Sequence, residues 1–114
     1  MILYGIPNCD TVKKARVFLA GRGAAYEFHD YKKAGVPADA VARWLARWGW
    51  EAVLNRSGTA FRALPEIDKV GLDAERATAL MLANPSMIKR PILEGGDVAL
   101  IGFKLEAWAA ALEG

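Results

Sequence analysis

One cysteine, one histidine and a few isolated cations are the residues of this 114-residue chain with the most chemistry to offer. The cysteine stands in Gly5-Ile6-Pro7-Asn8-Cys9-Asp10-Thr11-Val12-Lys13-Lys14. A thiol placed where a strand ends and a helix begins meets unpaired N–H groups and the positive end of the helix dipole, both of which favour an anion. Its pKa is then expected to fall, and the thiolate is the reactive form. Asn8 and the backbone amides of Asp10 and Thr11 are placed to hold a developing anion. Lys13 follows Cys9 by one helical turn and is a second candidate for holding a thiolate or receiving an anion. The Asp10 carboxylate acts in the other direction and raises the pKa of a neighbouring thiol. The competing reading is plain: cysteine is among the most buried residue types, and a lone one is usually inert core. Lys14 and Arg16 read as solvated helix charges. His29 is a general-base candidate by type, but a single histidine on the polar side of a strand is more often a surface residue.

The elements that must position Cys9 follow from periodicity. Ile2, Leu3 and Tyr4 read as a short buried strand, and Gly5, Pro7 and Asn8 as the turn that ends it. Val12, Ala15 and Leu19 then recur at helical spacing. This predicts a helix from about Asp10 to Ala20, stopped by Gly21 and Gly23. Tyr26 to Tyr31 alternates aromatic and polar residues, a half-buried strand. Strand, helix and strand within so short a span make a βαβ unit with parallel strands.

Lys32 to Pro37 reads as a loop, with Pro37 in the first turn of the next helix. That helix carries Val41, Trp44, Leu45 and Trp48 on one face, an aromatic stripe more typical of core than of a ligand site. Trp50 to Leu54 reads as a short helix, Asn55-Arg56-Ser57-Gly58-Thr59 as a polar turn, and Phe61 to Leu64 as a helical turn. Asp73 opens a further helix with Ala77, Leu80 and Met81 on one side, closed by Asn84-Pro85. Ile92-Leu93 and Val98 to Ile101 flank Gly95-Gly96-Asp97 as an antiparallel hairpin. A last helix buries Leu105, Trp108, Ala109 and Leu112. The order is β-α-β, a helical insert over about 36–85, then β-β-α, in an α/β chain expected to form a single domain over 1–114.

Composition narrows the function classes. Apolar residues make up 54% of the chain and the formal net charge is +2, which suits a compact protein and gives no compositional argument for nucleic-acid binding. No window reaches the roughly 18–20 apolar residues of a membrane span, and the N-terminus lacks a signal-peptide pattern. The expected location is cytoplasmic, and a single cysteine forbids an internal disulfide.

With these residues in hand, the chain resembles the arsenate-reductase/Spx family, whose fold is thioredoxin-like with an inserted helical subdomain. The resemblance runs over nearly the whole length. It is carried by Tyr4-Gly5-Ile6-Pro7-Asn8-Cys9 after the first strand, by Arg56 in the insert, and by Arg90-Pro91-Ile92-Leu93 after it. Cys9-Asp10-Thr11-Val12-Lys13-Lys14-Ala15, Phe28-His29-Asp30-Tyr31 and Asn55-Arg56-Ser57-Gly58-Thr59 are most similar to a branch that looks like glutathione-dependent thiol reductases. The resemblance implies that Cys9 is the nucleophile and that Pro91 is cis and faces it. It also implies that Arg56 and Arg90 bind an anion. Arsenate reductases of the family carry a third arginine, which would fall near Gly102-Phe103, and a basic residue near Gly5; both are missing here. Spx-type redox switches have a Cys-x-x-Cys pair, and Val12 takes the second cysteine's place.

The chemistry this implies is a Cys9 thiolate attacking a disulfide and forming a mixed disulfide. With no second cysteine, an external thiol must resolve it. Glutathione is the expected co-substrate, with no tightly bound cofactor and no metal. Its carboxylates would be met by Arg56, Lys89 and Arg90, with Asn8, Asp10, Thr11, Lys13 and Pro91 around the thiol. The expected partners are glutathione or a small thiol or disulfide, and a glutaredoxin, with neither nucleic acid nor membrane. Two alternatives stand beside this: a glutathione- or glutaredoxin-linked arsenate reductase, and an Spx-like protein that binds RNA polymerase without catalysis.

Overall fold

A computed structural model describes residues 1–113. The described residues divide into two compact units, one of residues 1–34 with 90–113 and one of residues 35–89.

In the first unit, β1 (Ile2–Gly5) is followed by α1 (Asp10–Gly21), β2 (Glu27–Asp30) and the single turn α2 (Tyr31–Ala34). After the second unit come β3 (Ile92–Gly95), β4 (Val98–Ile101) and α8 (Leu105–Ala111). The four strands form one sheet in the order β2-β1-β3-β4. β1 is parallel to β2 and antiparallel to β3, and β3 is antiparallel to β4. Leu3 faces Phe28 on one side and Leu93 on the other in register. Leu3, Ala15, Leu19, Leu93 and Trp108 form the core, so α1 and α8 both pack onto the sheet through it. This is the thioredoxin-like β-α-β … β-β-α arrangement that the sequence predicts.

The second unit is built from helices. They are α3 (Ala38–Trp48), α4 (Trp50–Val53), α5 (Thr59–Arg62), α6 (Glu66–Lys69), α7 (Ala74–Ala83) and a 3-10 turn at Pro85–Met87. Val41 and Trp44 of α3, Val53 of α4, and Ala77 and Met81 of α7 are all fully buried. Leu54 bridges Ile88 in an antiparallel pair, extended by hydrogen bonds from Asn55 N to Met87 O (2.7 Å) and from Lys89 N to Val53 O (2.8 Å). Asp73 caps α7, its Oδ1 accepting from the Arg76 amide at 2.8 Å. Asp73→Ala should therefore cost about 1 kcal/mol. Urea unfolding checks this, and an unchanged midpoint would mean that the cap adds nothing.

Four local expectations are corrected. Tyr31 leaves the strand and forms a helical turn with residues 32–34 of the expected loop, because Asp30 Oδ1 accepts from the amides of Lys32 (2.9 Å) and Lys33 (3.4 Å) and so caps them. Pro37 is the cap before α3, not part of its first turn. α6, after Pro65, was not expected. Leu105 is 60% exposed rather than buried, since α8 turns only Trp108 fully inward.

No helix among the described residues is long and apolar enough to cross a membrane.

Candidate active site

The turn that delivers Cys9 is dictated locally. Ile6-Pro7-Asn8-Cys9 closes with Cys9 N donating to Ile6 O at 3.1 Å. Proline presets the backbone for the second position of such a turn. Gly5 allows the strand to end directly beneath the helix: a Cβ there would lie 2.7 Å from Cγ2 of Val12. Cys9 is then the extended N-cap residue of α1, φ −82° and ψ 126°, and its carbonyl accepts from Lys13 N at 2.9 Å.

Cys9 is half-buried, with the Pro7-Asn8 turn exposed beside it. Burial alone pushes its pKa up. The Val12 amide, a hydrogen bond from the Arg90 side chain, the Thr11 amide and the Arg90 charge together push it down further, so the thiol lies below its ordinary value. The neutral thiol makes no capping hydrogen bond. The two amides matter for the anion, as expected where helix N–H groups lack partners.

Arg90, distant in sequence, is thus the side chain that meets Cys9, and the Arg90–Pro91 peptide is cis, as the resemblance implies. Pro91 is buried, and its carbonyl accepts from Gly102 N at 2.8 Å. Tyr4, His29 and Tyr31 form a cluster that the sequence reading does not assemble. Tyr4 stacks with Tyr31 at 6.4 Å between ring centroids, and His29 lies 5.1 Å from Tyr4 on the adjacent strand. Burial raises the Tyr31 pKa well above the usual phenol range, the Tyr4 and Glu94 charges add to this, and the Arg90 charge opposes it. Tyr31 is therefore a neutral phenol in the electrostatic field of Arg90.

Of the sequence-predicted residues, the sheet-bearing unit holds Asn8, Cys9, Asp10, Thr11, Lys13, Arg90 and Pro91. The amides that lower the Cys9 pKa are those of Val12 and Thr11. Asn8, Asp10 and Lys13 are exposed, and Lys13 is not among the groups that set the Cys9 pKa. Arg56 and Lys89 belong to the helical unit. There they line one pocket with Glu51, Leu54, Asn55 and Ser57, and the Arg56 guanidinium lies 5.4 Å from the Trp50 ring centroid. The Leu54–Ile88 bridge and its flanking hydrogen bonds hold Arg56 and Lys89 to the same pocket. No cluster of metal-ligating side chains occurs among the described residues.

Comparison with known proteins places this geometry. The ArsC family matches residues 4–111. The solved structure of the YffB (PA3664) protein is 56% identical, with a TM-score of 0.94 over 97% of both chains. The solution structure of an arsenate reductase (ArsC) related protein from Brucella melitensis is 49% identical, with a TM-score of 0.75 over 98% of this chain and 93% of that one. An uncharacterised protein of Haemophilus influenzae is 38% identical over 109 residues, 96% of each chain.

Proposed function

The chain belongs to the ArsC family, and from that premise we propose that it is a monothiol reductase that works with glutathione. The observation that carries this reading is the lowered pKa of Cys9 at the start of α1, under the amides of Thr11 and Val12 and beside Arg90. The Cys9 thiolate attacks one sulfur of a mixed disulfide between glutathione and a substrate thiol. The old S–S bond breaks, a Cys9–glutathione disulfide forms, and the substrate leaves as a thiolate that takes a proton from water. The thiolate of a second glutathione attacks that adduct, releasing glutathione disulfide and restoring Cys9. Arg90 holds the Cys9 anion before attack and again as it leaves. Arsenate fits less well, because Gly102-Phe103 offers no guanidinium and Arg90 is the one arginine that acts on the thiol.

The test uses the single thiol. Incubation with glutathione disulfide should give one glutathione adduct per chain, on Cys9, released by reduced glutathione. Alkylation of Cys9 should follow an apparent pKa below the unperturbed ~8.5. An apparent pKa at or above that value, or a thiol that takes no adduct, would overturn the reading.

A further inference from the structure

A second feature lies along the same helix. Lys13, Lys14, Val17 and Phe18 of α1 face Phe103 and Leu105 across an open groove of about 400 Å³ with almost wholly apolar walls. Val17 is 73% exposed and Leu105 60%. Single exposed apolar residues are ordinary, but these two flank one trough. Its floor is well supported. The Phe18 and Phe103 rings are 5.7 Å apart, and they pack on buried Trp108 at 6.4 and 5.0 Å respectively. The Arg22 guanidinium lies over Phe18, 5.0 Å from its centroid. The charged groups lining the groove are the exposed Lys13 and Lys14. Because Lys13 N donates to Cys9 O, the groove opens one helical turn, roughly 6 Å along the axis, past the thiol.

We propose that this groove docks an acidic polypeptide segment carrying a bulky apolar side chain, which makes a protein the disulfide substrate. The substrate assignment rests on the thiol-exchange reading; the docking surface does not. Charge selects the occupant. A second copy of this chain across a two-fold axis would set Lys13 and Lys14 against like charges. A neutral apolar ligand would leave both ammonium groups unused. An acidic segment fills the trough with its apolar side chain and gives the lysines carboxylates. Exposed ion pairs contribute little each, so apolar burial supplies most of the affinity and salt weakens the rest.

The test separates docking from chemistry. Cys9→Ser protein is titrated calorimetrically with a short peptide holding a leucine–phenylalanine pair flanked by aspartates, and with the same peptide flanked by lysines. The aspartate peptide should bind more tightly at low salt. Val17→Asp and Leu105→Asp, both at exposed positions, should each weaken it roughly tenfold or more, since each removes an apolar side chain from the trough and adds a charge that repels the aspartates. Equal binding of both peptides, no response to either substitution, or self-association of the chain through this face overturns the proposal. In protein with Cys9 intact, Val17→Asp should raise KM for the glutathione mixed disulfide of the aspartate peptide and leave that of a small thiol unchanged. If the wild type turns over neither disulfide while the groove still binds the peptide, the thiol-exchange reading fails and the docking surface stands. If the small disulfide is turned over and the peptide does not bind, the docking surface fails alone.

Discussion

Cys9→Ser is expected to abolish glutathione-dependent reduction of a small mixed disulfide, with a loss on the order of a thousandfold or more. A serine hydroxyl ionises far above neutral pH, so neither the Thr11 and Val12 amides nor Arg90 can generate a useful anion from it. Stability should not fall with activity. Residue 9 is the N-cap of α1, and serine is among the preferred residues for that position. Below the pH at which Cys9 ionises, the variant should keep its circular dichroism spectrum and its unfolding midpoint. Turnover within tenfold of wild type would sink the proposed role of Cys9.

The second large effect is at Arg90. It lowers the Cys9 pKa in two ways, by a side-chain hydrogen bond and by its charge. Arg90→Met removes both, so the Cys9 pKa should rise and the thiolate fraction at neutral pH should drop. A hydrogen bond to a charged group is worth about 1.5–3 kcal/mol, which predicts a fall of roughly 10–100-fold in the thiolate fraction near pH 7 and, because a higher-pKa thiolate is the better nucleophile, a loss of roughly 3–10-fold in exchange rate. The deficit should shrink at alkaline pH, where the variant thiol also ionises and its higher pKa makes it intrinsically more nucleophilic. Arg90→Lys, which keeps the charge, should fall between the two. Folding stability must move in step. The folded state holds the thiolate more tightly than the unfolded chain does, so this stabilisation is present above the unfolded thiol's pKa. It is lost as pH falls through the lowered folded value. Arg90→Met should flatten that dependence. A pH–alkylation profile identical to wild type would mean that Arg90 does not act on Cys9.

The turn and helix around Cys9 were legible because the signals are local: a proline-asparagine turn and a change of period from strand to helix. The caps at Asp30 and Asp73 use the same chemistry, yet only the second is legible in the sequence. Asp30 followed a strand pattern whose alternation ran on into Tyr31, and that pattern hid the capped turn. The exposure of Leu105 is not legible, because spacing from Trp108 gives a helical face but not the depth to which a seven-residue helix sinks it. The resemblance implies that Arg90 binds an anion and that Pro91 faces Cys9; the direct action of Arg90 on Cys9 is visible only in the fold, since no periodicity links residues so far apart. The gathering of Tyr4, Arg90 and Glu94 about Tyr31 is illegible for the same reason: these residues lie far apart in sequence and the fold brings them to it. Val12 was read as a core residue, which it is, but the contribution of its amide to the anion depends on where the helix begins.

Gly102 directly follows β4 on the way to α8. Its N–H donates to Pro91 O and its carbonyl accepts from Trp108 Nε1, both at 2.8 Å. Its φ of +68° lies in the region that favours glycine. The peptide groups on either side of this residue are thus tied at once to the chain beside Arg90 and to the core tryptophan. The next residue, Phe103, inherits that rigidity. A ligand settling against Phe103 would meet a preorganised surface and lose little free energy to ordering it, so encounter rather than rearrangement would set the rate of association.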